Sequence, residues 1–585
     1  MWTESFLKDK WKIILIGFLA YFTFWGYSWY SEKNEFSYII RSDGSGYYAY
    51  LPSLFIYDDP TFEKAQQAEA KYHHGNVSRN YIFKTRDGAH YNKYFPGLAV
   101  LQVPFFLLAC LFSKIVGAPL DGYSTIFQVF FWIGSLFYVY AGVFMWWRLL
   151  KTFFKLKTSI ISPFIFLIAI ASPVIFYSFN TPSFTHGYSL FLIAVYLNLL
   201  FKLKEAVSTK HLVLLGLTIG LIFLLRPTNL VVLLAFPIVW TSWDSFITWV
   251  QALFTIHLRK LLVLFLVFFG IVSILFISWK WQTGKWLVWS YSGEGFDFLH
   301  TPFISGLFSF RMGLFLHTPV LLLAIAGWFF WFKENRFQAL WWALYAFINT
   351  WIIFSWWCWD YESTFGNRPF TEHMVLLTLP LLFLLKKQAK LALTGLAVFA
   401  LIGTIRLYSF SINQVVDQRF TKENYLSSLR FWDNQNKGRW YFTRACEPHG
   451  DVVVSWELLN QKEETVFQPS DEFKLTAEFT FPQQRNGERY FVRAELDKQL
   501  LDCQPFEQVF FVIDAYKDGL SHRYYKAMDL YNDKLEGINN WKSLIFETQV
   551  YDFLDEYDQL KVYIWNPGKK QFKLKNVRIR LEAYK

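Results

Sequence analysis

Long apolar runs separated by short polar connections fill residues 1–410 of the chain. Many of these runs approach or exceed the roughly 18 to 20 residues that an α-helix needs to cross the hydrocarbon core of a bilayer. The pattern predicts a polytopic α-helical membrane domain with about eleven crossings. These begin near Trp11, Ser124, Thr158, Gly187, His211, Thr228, Leu261, Gly313, Phe337, His373 and Leu391.

Basic residues cluster at every other connection between the apolar runs. Since positive charge in short loops stays in the cytoplasm, this alternation places the amino terminus inside. The pattern requires the apolar stretch Leu98 to Val116 to lie at the outer surface, with the second crossing running from about Ser124 to Trp147. The polar segments that then meet on the outer face are 31–94, 180–186, 280–311 and 359–373.

The polar and apolar pattern changes after about Tyr408. Residues 411–440 are polar and are interpreted as a linker. In residues 441–585 apolar positions alternate with polar ones, as at Phe473 to Phe481, which predicts an all-β sandwich of antiparallel strands. Similar alternation recurs at 490–496, 509–515, 560–565 and 572–581. An odd number of crossings would place this domain outside, where Cys446 and Cys503 could form a disulfide.

Composition supports the membrane assignment and excludes several classes of function. Hydrophobic residues make up 54% of the chain and aromatic residues 21%. The net charge of +11 does not indicate nucleic-acid binding, because the basic residues lie in the short loops between spans. The sequence contains no CxxC, HExxH, Walker or GxGxxG motif, so soluble nucleotide-dependent chemistry has no support.

The first outer loop, residues 31–94, opens with Arg41-Ser42-Asp43-Gly44-Ser45-Gly46-Tyr47-Tyr48 and ends just before Phe95-Pro96-Gly97. A carboxylate close to a bilayer is unfavourable unless it faces water, a counter-charge or a ligand, so Asp43 is a functional candidate. Asp43 could instead cap a helix that begins at this turn-forming sequence. Lys93, near the end of the loop, could extend its ammonium to lipid headgroups rather than bind a ligand.

The other outer segments contain ionisable side chains that a plain connector would not need. His186 is either a substrate contact or a packing residue at a helix end. Arg226 precedes Pro227, which ends a span, and would otherwise lie in lipid. The third and fourth segments add Arg311, Asp360, Glu362 and Arg368.

Histidines in the first outer loop raise the question of a metal site. His73, His74 and His90 could combine with Asp87. Histidines scattered along a loop are more often solvated than metal-bound, so we assign no metal ligands.

The motif around Asp43 just past the first span, followed by Lys93-Tyr94-Phe95-Pro96-Gly97 before a membrane-lying helix, resembles the C-type (GT-C) superfamily of integral-membrane glycosyltransferases. The nearest branches in character are the protein mannosyltransferases and the lipid A aminoarabinose transferases. The layout of the whole membrane domain is similar to theirs, but only these short motifs supply sequence detail. Here a single Asp followed by Gly replaces the family's acidic pair, and Lys-Tyr-Phe-Pro-Gly replaces a Lys-Pro-Pro-Leu type motif.

The resemblance implies transfer of a sugar from a polyprenyl-phosphate donor to a glycan, lipid or protein acceptor at the outer face. Asp43 would be the catalytic base that takes a proton from the acceptor. The cations that would hold the departing phosphate are Lys93, Arg368, Arg226 and Arg311. The candidate substrate-binding residues are Tyr47, Tyr48, His186, Asp360 and Glu362. A divalent cation is the cofactor to test.

Two other classes of function were weighed. A transporter or flippase of lipid-linked sugars would need polar residues deep within several spans and broken helices. A membrane anchor that displays the β-domain for glycan or protein binding would need fewer spans. The domain itself is similar to a carbohydrate-binding jelly roll, by fold pattern alone. The uncleaved first span and the charge pattern favour a bacterial inner membrane with the β-domain in the periplasm.

Overall fold

The structure is a computed structural model, and it forms two units, one helical and one of β-strands. Each unit has its own hydrophobic core. The helical unit contains every described helix up to Ser411, and the β unit contains the strands from Val452 onward. The residues that the structure describes are 10–32, 39–72, 81–85, 88–291, 294–310, 312–361, 365–411, 425–426, 452–481, 489–501, 509–517, 520–530, 541–550, 558–566 and 570–584.

Helices of the first unit follow one another with short breaks, several of which contain proline. Four described segments depart from the α form, and three of them are a π-helical turn at Ser53–Tyr57, a second at Phe176–Asn180, and a long 3₁₀ segment at Pro227–Val239. A shorter 3₁₀ segment is Arg368–His373. The α-helices are α1 (Lys10–Glu32), α2 (Asp43–Pro52), α3 (Glu63–Tyr72), α4 (Gly97–Val116), α5 (Thr125–Thr152), α6 (Thr158–Ile170), α7 (His186–Glu205), α8 (Thr209–Leu225), α9 (Trp243–Thr255), α10 (Leu258–Thr283), α11 (Phe303–Phe308), α12 (Leu314–His317), α13 (Val320–Glu334), α14 (Arg336–Phe354), α15 (Met374–Leu377), α16 (Leu381–Lys387) and α17 (Ala389–Ser411).

Six helices are long and apolar enough to cross a membrane. They are α4, α5, α7, α10, α14 and α17. Two further pairs pass the same test only when combined: Pro227–Val239 with α9, bent by 111°, and Arg368–Leu377 with α16, bent by 46°. The described residues therefore contain six candidate spans, or up to eight if each bent pair is one span.

The predicted multi-pass membrane domain is confirmed at this level of detail. Shorter apolar helices at Ile14–Tyr27, α6 and α8 coincide with other predicted crossings. The count of eleven stays a prediction. So does the placement of residues 98–116 at the outer surface, because α4 also has the length and composition of a span.

The predicted first outer loop contains ordered structure that is tied to both ends of α4. It includes α2, α3 and a small hairpin of β1 (Ile82–Lys84) and β2 (His90–Asn92). The hydroxyl of Tyr50 donates to the Tyr94 carbonyl oxygen at 2.6 Å, just before α4 begins. The hydroxyl of Tyr48 donates to the Gly122 carbonyl oxygen at 2.5 Å, just after α4 ends. Tyr48 and Tyr50 of α2 are thus hydrogen-bonded to the segments that precede and follow α4.

Two antiparallel sheets form the β unit. One has the strand order β5-β10-β7-β8, and the other has β3-β11-β6-β9 with β4 paired to β11. Side chains from both sheets share one core, as where Phe511 stacks on Phe546 at 5.7 Å between ring centroids. The strands are β3 (Val452–Gln461), β4 (Thr465–Phe467), β5 (Phe473–Thr480), β6 (Arg489–Leu500), β7 (Phe510–Lys517), β8 (Leu520–Asp529), β9 (Trp541–Val550), β10 (Gln559–Trp565) and β11 (Phe572–Tyr584).

The predicted alternation in β5 holds with one interruption. Ala477 is buried, but Phe473 is exposed at the start of the strand. Leu475, between them, has a φ of 54°, which interrupts the regular pleat that alternation assumes. The predicted turn between β10 and β11 is closed by Asn566, which donates from its amide to the Lys570 carbonyl oxygen at 2.9 Å.

Several predictions concern residues outside the described part of the chain. They include the Cys446–Cys503 disulfide, most of the 411–440 linker, and the side chains of His73, His74, Asp87, Arg311 and Glu362. The remaining two cysteines, Cys110 and Cys358, lie in the helical unit.

Candidate active site

Asp43 is the first residue of α2, yet its carboxylate binds side chains from other segments. The Tyr94 hydroxyl donates to Oδ1 at 2.8 Å, and Nη2 of Arg368 lies 3.1 Å from Oδ2. Ser42, the residue before it, has a φ of 53° and makes no side-chain cap at the helix start. The capping alternative therefore does not describe this carboxylate, which joins the end of the first outer loop to the start of the Arg368–His373 segment.

Glycines on both sides of Ser45 allow the chain around Asp43 to pack closely. A Cβ added at Gly44 would lie 2.4 Å from the Ser183 side chain, and one at Gly46 would lie 2.3 Å from the Tyr94 ring. Contacts this short have no room for a methyl group. The Ser-Asp-Gly-Ser-Gly sequence thus brings the second outer segment and the Lys93–Gly97 motif against one turn of helix.

Lys93 lies in an aromatic and acidic environment. Its ammonium pairs with the Glu294 carboxylate and lies 5.4 Å from the ring centroid of Tyr291. The motif that contains it is fixed at its other end, because a Cβ on Gly97 would lie 2.4 Å from the Leu224 carbonyl carbon. That close backbone contact seats the start of α4 on the end of α8, next to Arg226.

Arg226, His186 and Glu372 form a second buried ionic group. Glu372 Oε2 lies 2.7 Å from Nδ1 of His186, and Oε1 lies 3.5 Å from Nη1 of Arg226. Glu372 is fully buried, and among the described residues Oε1 has no hydrogen-bond partner. Three elements of the helical unit therefore converge on one carboxylate: the start of α7, the start of the Pro227–Val239 segment and the end of the Arg368–His373 segment.

Tyr47 links the two ionic groups. Its ring centroid is 4.5 Å from that of Tyr94. Its hydroxyl interacts electrostatically with the charged groups of Arg226, Asp43, Arg368 and Glu372. Burial, together with the two acids, raises the pKa of Tyr47 to about 12, so the phenol keeps its proton. A neutral phenol between two carboxylates and two guanidiniums can donate a hydrogen bond to a ligand without adding charge.

The Asp43 carboxylate remains ionised in this setting. Burial alone would raise its pKa, but the Arg368 guanidinium, the Tyr94 hydroxyl and the charges of Lys93 and Arg226 outweigh burial and hold the pKa below its usual value. Asp43 therefore presents a carboxylate that can accept a proton at neutral pH.

The structure brings six of the sequence-predicted residues into this region: Asp43, Tyr47, Lys93, His186, Arg226 and Arg368. The ring of Tyr48 instead packs against Phe106, Tyr123 and Phe131 in the protein interior. Asp360 is fully buried and accepts a bond from the Cys358 thiol at 3.4 Å. The predicted substrate contacts of these two residues are untested.

Sequence reasoning missed Glu372, Tyr94 and Arg406. Glu372 stands between Thr371 and His373 at the edge of an apolar run, so it was counted as loop. Its signal was the charge pattern Arg-Pro-Phe-Thr-Glu-His, in which an acid follows Arg368 by one helical turn.

Metal-binding geometry was sought across the described residues. No group of three or more His, Cys, Asp or Glu side chains is placed to hold an ion in that part of the chain. His90 pairs with Glu63 at 3.5 Å rather than with other histidines there. Both oxygens of Asp43 contact protein groups, Tyr94 and Arg368, and we derive no step through a cation.

Comparison with known proteins adds no assignment. No model of a known protein family matches this chain, and no curated protein matches it.

Proposed function

We propose that this chain is a membrane glycosyltransferase of the GT-C type, which transfers a sugar from a polyprenyl-phosphate donor to an acceptor at the outer face of a membrane. One observation carries the proposal: the partly buried Asp43 carboxylate pairs with Arg368 at 3.1 Å and lies within the electrostatic reach of Lys93 and Arg226. A base beside three cations is the combination needed to deprotonate an acceptor while a phosphate departs.

In the proposed reaction an acceptor hydroxyl or amine gives its proton to Asp43. The acceptor oxygen or nitrogen bonds to the anomeric carbon as the bond from that carbon to the phosphate oxygen breaks. The electron pair leaves with the polyprenyl phosphate, whose charge Arg368, Arg226 and Lys93 stabilise. No nucleotide is needed, because the donor's phosphoester supplies the leaving group.

Each of the three cations already has an acidic partner: Arg368 has Asp43, Arg226 has Glu372, and Lys93 has Glu294. A phosphate that enters must therefore share a cation with a carboxylate. Arg368 is the natural one, since it pairs with Asp43 itself and has N–H groups beyond the one that faces that carboxylate. Displacing part of this pair would free Asp43 for the acceptor proton as the donor binds.

Outer-face placement of the site is supported by the charge pattern of the loops. The site begins at α2, a 10-residue helix of mixed polarity that is too short to span a bilayer. With α4 on the outer side, the basic loops fall in the cytoplasm of a bacterial inner membrane, and the β unit falls in the periplasm.

A transporter of lipid-linked sugars is the second candidate. Two broken spans support it, since Pro227–Val239 with α9 and Arg368–Leu377 with α16 are bent and carry buried charge near their starts. Such interrupted helices line substrate sites in secondary transporters. The anchor alternative is less supported, because an anchor needs no buried ionic network.

The deciding experiment follows the label of radioactive polyprenyl-phosphate sugars in membrane vesicles that contain the protein. Transfer predicts label covalently attached to a new acceptor, with release of polyprenyl phosphate. Transport predicts intact donor that becomes accessible on the opposite leaflet. Loss of signal from both assays in protein of native fold would overturn both functions.

Kinetics of two variants test the assigned roles. Lys93→Ala should weaken donor binding, because a phosphate contact acts in the ground state as well as in the transition state. Asp43→Asn should lower turnover at saturating donor. The same defect in both variants, accompanied by loss of expression, would contradict separate roles.

A further inference from the structure

Arg406 is a buried cation within a candidate membrane span. It lies in α17, inside the window Ala389–Tyr408 that is apolar enough to cross a bilayer, and it is 5% exposed. In the proposed topology this end of α17 faces the outer side. A charge that is buried within a span usually has an acidic or functional partner.

His317 contacts one edge of the Arg406 guanidinium, the edge formed by Nη1 and Nη2. Nη1 donates to the His317 carbonyl oxygen at 2.8 Å, and Nη2 lies 2.7 Å from Nδ1 of the same residue. Because arginine only donates, Nδ1 must be the acceptor, and the ring proton is on Nε2. Nε2 then donates to the Phe310 carbonyl oxygen at 2.8 Å. His317 is therefore neutral and does not compensate the charge of Arg406.

Two aromatic rings lie against the same guanidinium. The ring centroid of Phe365 is 5.0 Å from Cζ, and that of Tyr425 is 5.8 Å from it. Tyr425 is itself fixed by a hydrogen bond from its hydroxyl to the Leu316 carbonyl oxygen at 2.9 Å. The rings favour a cation but supply no formal negative charge.

Arg406 thus differs from the three cations of the candidate active site. Those three each pair with a carboxylate, whereas among the described residues no carboxylate pairs with Arg406. Its described bonds use Nη1 and Nη2, and in that part of the chain no acceptor contacts Nε. Thr318, next to His317, adds a fully buried hydroxyl for which the described residues provide no partner.

We propose that Arg406 binds the phosphate group of a membrane lipid at the outer leaflet. A phosphodiester carries one negative charge, which matches a guanidinium that no described carboxylate pairs with, and its oxygens suit the Nε edge, which no described acceptor contacts. The depth of Arg406, near the outer end of a span, is that of lipid headgroups rather than of the hydrocarbon centre. The proposal does not depend on sugar transfer.

A single loop would connect such a lipid to the candidate active site. Phe365 donates from its backbone nitrogen to the Tyr177 hydroxyl at 3.1 Å, and the Tyr177 ring lies 4.9 Å from that of His186. The loop that provides Phe365 continues to Arg368. A lipid phosphate on Arg406 would therefore help to fix the loop that positions the partner of Asp43.

The test is lipid binding by the purified full-length chain in a neutral, phosphate-free detergent. Short-chain phosphatidylglycerol, short-chain phosphatidylcholine and inorganic phosphate are titrated separately, and native mass spectrometry counts bound molecules. We expect saturable binding of phosphatidylglycerol and weaker binding of phosphatidylcholine, whose choline compensates the phosphate charge. Equal binding of inorganic phosphate would overturn the lipid assignment in favour of a free-phosphate site.

Matched variants locate the site. Arg406→Gln should weaken phosphatidylglycerol binding by about 10- to 100-fold, the effect of a lost charge-assisted hydrogen bond. Arg259→Gln removes an exposed arginine from a predicted cytoplasmic loop and should leave affinity unchanged. If Arg406→Gln does not fold, Arg406→Lys keeps the charge but loses the planar fork, and it should still bind more weakly than wild type. Wild-type affinity in a folded Arg406 variant, or no saturable binding by the wild type, would overturn the proposal.

Discussion

Ion pairs of similar chemistry occur in both units, but in different surroundings. In the membrane unit the Glu372 side chain is 0% exposed and the side chain of its partner Arg226 is 20% exposed. In the β unit Lys561 and Glu478 are 37% and 70% exposed, and they face each other across neighbouring strands. Exposed pairs of this kind contribute little to stability, because water screens them and both side chains must be ordered.

Buried ion pairs need a different explanation from exposed ones. Removing two charges from water is so unfavourable that an apolar replacement of equal volume is often no less stable. The concentration of acids and bases around Asp43 and Glu372 is therefore poorly explained by stability, and it makes this region a candidate site. The β-unit pairs need no explanation beyond solubility and strand pairing. The following predictions test this difference.

The largest effect is expected for Asp43→Asn. The amide keeps the size of the side chain but cannot take a proton, so transfer of label should slow by roughly 10² to 10⁴. The matched control is Asp471→Asn in the β unit, where Asp471 pairs with Lys474 at 2.6 Å. Initial rates of label transfer in vesicles measure both. Equal rates for Asp43→Asn and wild type would rule out Asp43 as the base.

Glu372→Gln should lower stability most among changes of the ion pairs. Loss of the carboxylate leaves the partly buried Arg226 without its acidic partner. Because Arg226 keeps some contact with water, the cost should be below the roughly 3 to 5 kcal/mol of a fully buried pair. Glu478→Gln in the β unit should leave stability unchanged within error. Chemical unfolding in detergent, followed by tryptophan fluorescence, compares the two. Similar small changes would mean that burial does not distinguish these regions.

Gly97→Ala should lower the stability of the protein by a smaller amount. Its Cβ would lie 2.4 Å from the Leu224 carbonyl carbon, and overpacking of this kind costs about 1 to 3 kcal/mol. Gly270→Ala, in α10, meets nothing within 4 Å and should stabilise its helix by roughly 0.5 to 1 kcal/mol. Thermal unfolding in detergent should therefore shift in opposite directions for the two variants. A shift of the same sign would contradict the close contact at Gly97.

The smallest expected effect is that of pH on the wild type. The pKa of Asp43 is lowered, so its base form and its stabilising charge interactions are complete above the ordinary value of 3.8 and are lost only as pH falls through the lower folded value. Asp43 should thus produce no acidic limb in kcat/KM between pH 5 and 7. Arg368→Gln removes the positive charge that most lowers the pKa of Asp43, so the acidic limb of kcat/KM should move to higher pH. An unchanged profile in Arg368→Gln would show that Arg368 does not set the pKa.

Helices that match the pattern well are those where apolarity alone decides. Runs predicted near Ser124, Gly187 and Leu261 correspond to α5, α7 and α10. The run predicted near Thr228 is less regular, because Pro227 and Pro237 favour a 3₁₀ segment and a sharp bend follows before α9. Apolarity does not encode such bends, which depend on what packs beside them.

The strands likewise divide into those that the sequence pattern predicts and those that depend on tertiary packing. β6, β7, β10 and β11 alternate clearly and were predicted from that pattern. β3, β8 and β9 were not, because their polar and apolar residues do not alternate with a clean period of two. Pairing with a neighbour stabilises such strands, and pairing is a tertiary property.

Sequence alone determined the series of long apolar helices and the separate β region, and it singled out Asp43, Lys93, Arg226, Arg368 and His186 as candidates for a functional site. Those conclusions depend on local apolarity, charge and turn-forming residues, which a single segment contains. Only the tertiary structure showed that Arg368 and Tyr94 share Asp43, that Glu372 joins His186 to Arg226, and that Arg406 has a neutral histidine as its partner. These pairings join residues far apart in the chain, and only packing brings them within bonding distance.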